Sequence, residues 1–214
     1  MNRDFCQQIQ QLLSDRPAMN LCEYDFAPSA VLLPLVIQGE EPAVLFEIRS
    51  EKLHRQPGEI CFPGGRIEKT DARPVAAALR ETCEELGVCR QQIAVLGPLD
   101  YVVSPIGVLL YPFVGYIDNV QTIRPNQDEV GAVFTVPLHW LVAAEPLVAH
   151  MQMATKPQDD FPFDLLPDDY PKDWKIRTTY PLLFYQYGKY TIWGLTAKVL
   201  HNFLSLYKTS FVGA

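Results

Sequence analysis

The stretch FPGGRIEKTDARPVAAALRETCEELGV, residues 62–88, decides how this chain is read. It opens with Pro63, Gly64 and Gly65 behind a short apolar run, EICF (59–62), which reads as an extended piece. PGGRIEKTDARP (63–74) has no hydrophobic period and is dense in turn formers, so a loop is expected there. Asp71 is a candidate helix cap and Pro74 suits a first helical turn. A helix is therefore expected over residues 73–86, with Gly87 where it should stop.

At 100° per residue, Leu79, Cys83 and Leu86 fall within about 80° of Val75, while Glu81, Glu84 and Glu85 spread over about 100° of the far side. The expectation is one apolar face, with Cys83 packing in the core, and one carboxylate face. That second face is electrostatically unfavourable. Glu81–Glu85 and Glu81–Glu84 are like-charge pairs at i,i+4 and i,i+3, each costing about a few tenths of a kcal/mol. The helix C-terminus also favours cations over anions. Arg80 offsets part of this by pairing with Glu84. Two readings follow: a solvated acidic face, or a site for a hard divalent cation such as Mg²⁺ or Mn²⁺, which takes oxygen ligands together with substrate phosphates. Spacing alone leaves them comparable. The glycine pair upstream favours the second, because Gly64 and Gly65 let backbone approach a ligand closely.

Outward from this segment, AVLLPLVI (30–37) and AVLFEIRS (43–50) read as a hairpin, with Pro34 suggesting an edge or a bulge. Residues 93–105, 108–117 and 129–137 read as strands, and 137–145 as a short helix. Residues 155–181, rich in Pro and Asp, are expected to form a long surface loop, 182–194 a hairpin turning at Gly188, and 195–207 a closing helix. At the N-terminus, Phe5, Ile9, Leu12 and Leu13 predict an amphipathic helix over 2–14, within a helical extension spanning 1–27. Strands outnumber helices without strict βαβ alternation, so the expected class is α+β with a mixed sheet. At 214 residues one domain over 1–214 is the default.

The net charge of −7 argues against bulk nucleic-acid or anionic-membrane partners. No run reaches the roughly 18 apolar residues of a membrane span, and no apolar signal core opens the chain. Five widely spaced cysteines, with no CxxC pair, fit a reducing compartment. The ending FVGA is not the peroxisomal address SKL, so a cytoplasmic location is expected. A homodimer is a possible assembly.

RETCEELGV (80–88) resembles the second half of the Nudix box, R-E-U-x-E-E-x-G-U, where U is bulky and apolar: Arg80, Glu81, Glu84, Glu85, Gly87 and Val88 match, and Thr82 departs. The upstream loop is one residue longer than the standard box. FPGGRIEKTD is similar to the F-P-G-G-x2-D-x2-D of the coenzyme A pyrophosphatase branch, with Glu68 and Asp71 at the acidic positions. LFEIRSEKLHRQPGEICFPGG resembles that branch's L-L-T-x-R-S-x3-R-x3-G-x3-F-P-G-G at Leu45, Arg49, Ser50 and Gly58. It departs at Phe46 for Leu, Glu47 for Thr and His54 for Arg, with Arg55 adjacent.

The resemblance implies an α/β/α sandwich, a box over 64–88, and hydrolysis of coenzyme A or acyl-CoA to 3′,5′-ADP and (acyl-)4′-phosphopantetheine. It implies Glu81 and Glu85 as chief metal ligands, Glu84 as a further ligand or base, the Gly65 carbonyl as an additional ligand, and Arg80 as the residue orienting the carboxylates. Gly64 and Gly65 would border the substrate. Arg49, Lys52, His54 and Arg55 form a basic cluster. Lys52 reads as solvated, whereas Arg49, Arg55 and His54 are candidate phosphate contacts. Glu129 reads as a strand-edge surface acid, with a catalytic role as the rival. Two other functions stay open: a Nudix hydrolase for ADP-ribose, NADH or a nucleoside triphosphate, kept alive by Glu47 and His54, and a non-catalytic nucleotide-binding module, disfavoured by the intact glutamates.

Overall fold

Strand β1 (Ala27–Gln38) organises the molecule. The structure, a computed structural model, describes residues 3–14, 27–105 and 107–211. Helix α1 (Arg3–Ser14) forms where the apolar period predicted it. The remainder of the expected N-terminal extension, residues 1–2 and 15–26, lies outside the described residues.

β1 pairs antiparallel with β2 (Glu41–Arg49) and with the short β4 (Gly64–Arg66), and parallel with β7 (Val108–Ile117). β2 carries β3 (Ile60–Cys61) and β8 (Val130–Pro137), and β7 carries β5 (Ile93–Pro98) and β6 (Val102–Ser104). This mixed sheet is the α+β architecture expected. The run 93–105, expected as one strand, breaks into β5 and β6. At the break Leu99 N donates to Pro112 O at 2.9 Å, and Asp100 exchanges hydrogen bonds with Asn202.

Pro34 sits on neither an edge nor a bulge. It lies in central β1, between the ladder to β4 (Ser29–Val31) and the ladder to β2 (Leu35–Gln38), where no partner strand needs its missing N–H. Pro112 stands the same way between the β6 and β5 ladders of β7.

Side-chain alternation loads the two faces of the sheet differently. Ala30, Leu32, Val36, Ala43 and Leu45 pack under helix α2 (Pro74–Leu86) with Ala77, Ala78, Leu79 and Leu86. Leu33, Val44, Phe46, Leu110 and Val114 pack on the other face with Val199, Leu200 and Phe203 of helix α4 (Gly194–Phe211). A short α3 (Leu138–Ala143) follows β8.

The second sheet holds β9 (Leu147–Thr155), β10 (Lys175–Tyr187) and β11 (Tyr190–Trp193), all antiparallel. The expected loop over 155–181 therefore shrinks to 156–174, because Lys175–Pro181 extends β10, and β9 was not anticipated. Both stretches are exposed along most of their length, so neither shows the apolar alternation that marks a half-buried strand. Among the described residues no helix is long and apolar enough to cross a membrane, and Cys6, Cys61, Cys83 and Cys89 are free.

Candidate functional site

The glycine loop is part strand. Gly64 and Gly65 lie in β4, opposite Val31 and Ala30 of β1. A Cβ on Gly64 would stand 2.3 Å from Ala30 O, so only glycine fits this approach. A Cβ on Gly65 would stand 2.3 Å from Glu81 Oε1. The second glycine thus makes room for a helix carboxylate.

Helix α2 starts at Pro74 as expected, but its N-cap is Arg73, with no side-chain cap. Asp71 serves elsewhere. It accepts from Glu68 N at 2.9 Å and from Arg80 Nη2 at 3.1 Å. Those bonds, Arg80's first, hold its carboxyl below the ordinary range. Arg80 also donates to Glu81 Oε1 at 3.0 Å, Glu84 Oε2 at 3.3 Å and Arg66 O at 3.2 Å. Its pKa is pushed up, chiefly by the Asp71 hydrogen bond.

The carboxylate face is not uniformly solvated. Ala77, Ala78, Thr82 and Glu85 are buried with Leu79 and Leu86, whereas Cys83 is only partly buried at the margin of this core. The helix is rolled toward the sheet along its alanine side, where there is no bulk to hold it off. Thr82, at a position where an apolar residue is usual in the pattern above, satisfies its hydroxyl by donating to Ala78 O at 2.6 Å. Glu85 is 5% exposed and accepts from Gly64 N at 2.8 Å. Glu81 is partly buried, and the Glu84 side chain is 55% exposed.

Burial raises the Glu85 carboxyl, and the charge of Glu47 raises it further. Burial also raises Glu81, against the pull of Arg80. The C-terminus of α2 is closed from outside the helix: Asn126 N donates to Glu85 O at 2.9 Å and Arg124 N to Leu86 O at 2.8 Å. Gly87 holds the left-handed cap at φ 63°.

Glu47 is the site residue that sequence reasoning missed. Alternation on β2 places Ala43, Leu45 and Glu47 on the face toward α2, and Glu47 is 1% exposed. Cys61, directly opposite on β3, donates its Sγ–H to Glu47 Oε1 at 3.2 Å. Oε2 has no partner. Burial raises the Glu47 carboxyl and, more strongly, the Cys61 thiol. The available signal was the period of 2: a carboxylate at the third inward position of a strand whose first two are apolar. Glu129, read as a surface acid, is partly buried and close enough for its charge to act on both Glu47 and Glu81.

The basic cluster divides. Arg49, at the end of β2, is partly buried, acts on Glu47 and Glu85, and donates through Nε to Arg55 O at 3.4 Å. His54 and Arg55 are exposed on the following loop. Lys52 pairs with Asp128 at 2.7 Å on the surface, in keeping with its solvated reading.

Among the described residues no group of three or more His, Cys, Asp or Glu is already arranged around a common metal position. The donor chemistry nonetheless suits a hard divalent cation: Glu81 and Glu85 offer carboxylate oxygens beside the glycine loop, and the orphaned Glu47 Oε2 offers another.

The family profile described as the NUDIX domain matches residues 27–155. The chain is 39% identical over 132 residues to the peroxisomal coenzyme A diphosphatase NUDT7 of Mus musculus, covering 62% of this chain and 55% of that protein. It is 37% identical over 135 residues to the uncharacterized Nudix hydrolase NudL of Enterobacter sp. (strain 638), covering 63% of this chain and 68% of that one. The chain therefore matches only about half the length of the mouse protein. Among solved structures, a MutT/nudix family protein from Enterococcus faecalis aligns with a TM-score of 0.44 at 19% identity, over 64% of this chain and 51% of the other.

Proposed function

The chain belongs to the NUDIX domain family, and from that premise we propose that it is a divalent-cation-dependent pyrophosphohydrolase whose substrate is coenzyme A or acyl-CoA. Water would add across the diphosphate P–O–P bond, releasing 3′,5′-ADP and (acyl-)4′-phosphopantetheine. The chain acts as one domain over 1–214, with residues 64–88 as its reaction centre, in the cytoplasm. A homodimer is the assembly to test by light scattering.

The observation that supports this reading best is the clamp of Gly64 N on Glu85 Oε2. It locks the glutamate helix to the glycine loop, so that carboxylate oxygens and the backbone of Gly65 border one place. Mg²⁺ or Mn²⁺ bound there would neutralise phosphate charge, polarise a P–O bond and lower the pKa of a bound water.

Glu81 and Glu85 are the ligands, with the Gly65 carbonyl as a further oxygen. Glu84, the most exposed of the three helix carboxylates, takes the proton of the attacking water. Arg80 keeps Glu81 and Glu84 oriented and is itself fixed by Asp71. Arg49, Arg55 and His54 contact substrate phosphates, and the backbone of Gly64 and Gly65 borders them.

A second reading, hydrolysis of another diphosphate such as ADP-ribose or NADH, draws support from the outward placement of His54 and Arg55, which forms no closed phosphate clamp. One assay separates the two. The protein is incubated with Mg²⁺ or Mn²⁺ and a panel of CoA, acyl-CoA, ADP-ribose, NADH and deoxynucleoside triphosphates, and products are identified by mass. Phosphopantetheine from CoA is expected. Turnover of another member without it overturns the CoA assignment, and turnover of none leaves a nucleotide-binding module.

A further inference from the structure

Glu47 has no place in the roles assigned above, and its surroundings call for one. It is 1% exposed, and among the described residues its Oε2 is the buried side-chain oxygen without a hydrogen-bond partner. Its one hydrogen bond comes from the Cys61 thiol, a weak donor, and goes to the other oxygen. The charges acting on it are mostly of its own sign: Glu85 from α2, Glu81 one turn earlier and Glu129 from the segment before β8, with Arg49 as the basic neighbour.

A purely structural role does not account for this arrangement. The same face of β2 carries Ala43 and Leu45 in the apolar layer under α2, and a further aliphatic side chain would extend that layer. A buried carboxyl with an unpaired oxygen is instead a destabilising choice unless a ligand completes it. Its position selects the ligand. Register fixes Glu47 opposite Cys61, three residues before the Gly64 amide that holds Glu85. Register and the mutual charge effects with Glu85 and Glu81 thus put Glu47 beside the carboxylates of α2.

We propose that Glu47 is an additional carboxylate of the cation site, presenting Oε2 to the divalent ion held by Glu81 and Glu85, directly or through a metal-bound water. The assignment rests on the metal-dependent reading above. Cys61 is then a positioning residue, occupying Oε1 so that Oε2 faces inward. The added negative charge strengthens cation binding, and it makes the metal-free centre more repulsive than helix α2 alone would be.

The test is Mn²⁺ binding to the full chain without substrate, followed by electron paramagnetic resonance of free Mn²⁺, for the wild type, Glu47→Gln and Glu47→Thr. Thermal unfolding of each is recorded with chelator and with Mn²⁺. Both variants are expected to lose at least about tenfold in Mn²⁺ affinity or one bound ion. Both should melt at or above the wild-type temperature in chelator, and gain less from Mn²⁺. Wild-type affinity and stoichiometry in both variants overturn the proposal. So does a fall in the metal-free melting temperature of both, which marks Glu47 as a structural side chain. A wild type that binds no Mn²⁺ overturns the metal-dependent reading itself.

Discussion

The inner flank of helix α2 and the loop after β2 carry the two halves of the proposed chemistry, and they are built in opposite ways. On the flank, Glu85 is buried, tied to the backbone of Gly64 and backed by Glu47, while Gly65 leaves space for nothing larger than hydrogen beside Glu81. In the loop, His54 and Arg55 stand in solvent, while Arg49, at the end of β2, acts on Glu47 and Glu85. Charges held in a wall keep their geometry and their field, whereas charges on a loop are screened and must be ordered by whatever they bind. The contrast implies a carboxylate half whose members are held by the fold and a substrate-binding half that is adaptable.

The largest expected effect breaks the carboxylate half. Glu85→Gln should lower turnover by about a hundredfold or more with all substrates, measured under saturating Mn²⁺. An unchanged rate would remove Glu85 from the metal. Gly65→Ala follows, because a Cβ must displace the Glu81 carboxylate. Turnover should fall by tens of fold, short of the roughly hundredfold that misplacing a reacting group by an ångström can cost. Wild-type kinetics would show that the contact relaxes freely.

Glu84→Gln should cost at least about tenfold in kcat, and it is the variant most informative about pH, since loss of a base removes one limb of the profile. At the adaptable half, Arg55→Ala should raise KM for CoA by about threefold to tenfold while leaving kcat within twofold, the signature of uniform binding. A kcat effect as large as that of Glu84→Gln would mean that the loop closes into the wall.

The smallest effect is on stability. Glu85 and Glu47 have carboxyls raised above their unfolded values, so between the ordinary carboxylate range and those raised values the folded chain binds more protons than the unfolded one. Their contribution to metal-free stability is therefore full below the ordinary range and is lost as pH rises through the raised values, by about a few degrees in melting temperature. Mn²⁺, which binds the deprotonated form, should offset the decline. A metal-free melting temperature that rises over this window would contradict the burial of both groups.

Much of the wall was legible beforehand. Pro74, the helix itself and its stop at Gly87 were read from local rules, and Arg80, Glu81, Glu84 and Glu85 from their spacing. The helical wheel put Val75, Leu79, Cys83 and Leu86 on the side that packs, as they do, but counted neither Thr82 nor Glu85 there, and both are buried. Ala77 and Ala78 widen the buried side, and their small size lets α2 settle there and carry Glu85 inward. Asp71 was read as a cap because it precedes the helix. Its carboxylate is instead drawn to the Arg80 guanidinium, a stronger partner than an exposed backbone amide. Lys175–Pro181 was read as loop because an exposed strand pairing on its backbone alone leaves no hydrophobic trace.

The amino-acid order by itself determined the local pieces: the strand, the glycine turn, the helix and the three carboxylates on its surface, since φ/ψ preference and periodicity act over a few residues. Only the tertiary structure decided which of those carboxylates is buried and what stands against it. Glu47 meets Cys61 through strand register and acts on Glu85 through the docking of a helix on a sheet, relations between residues 14 and 38 positions apart that no local period encodes.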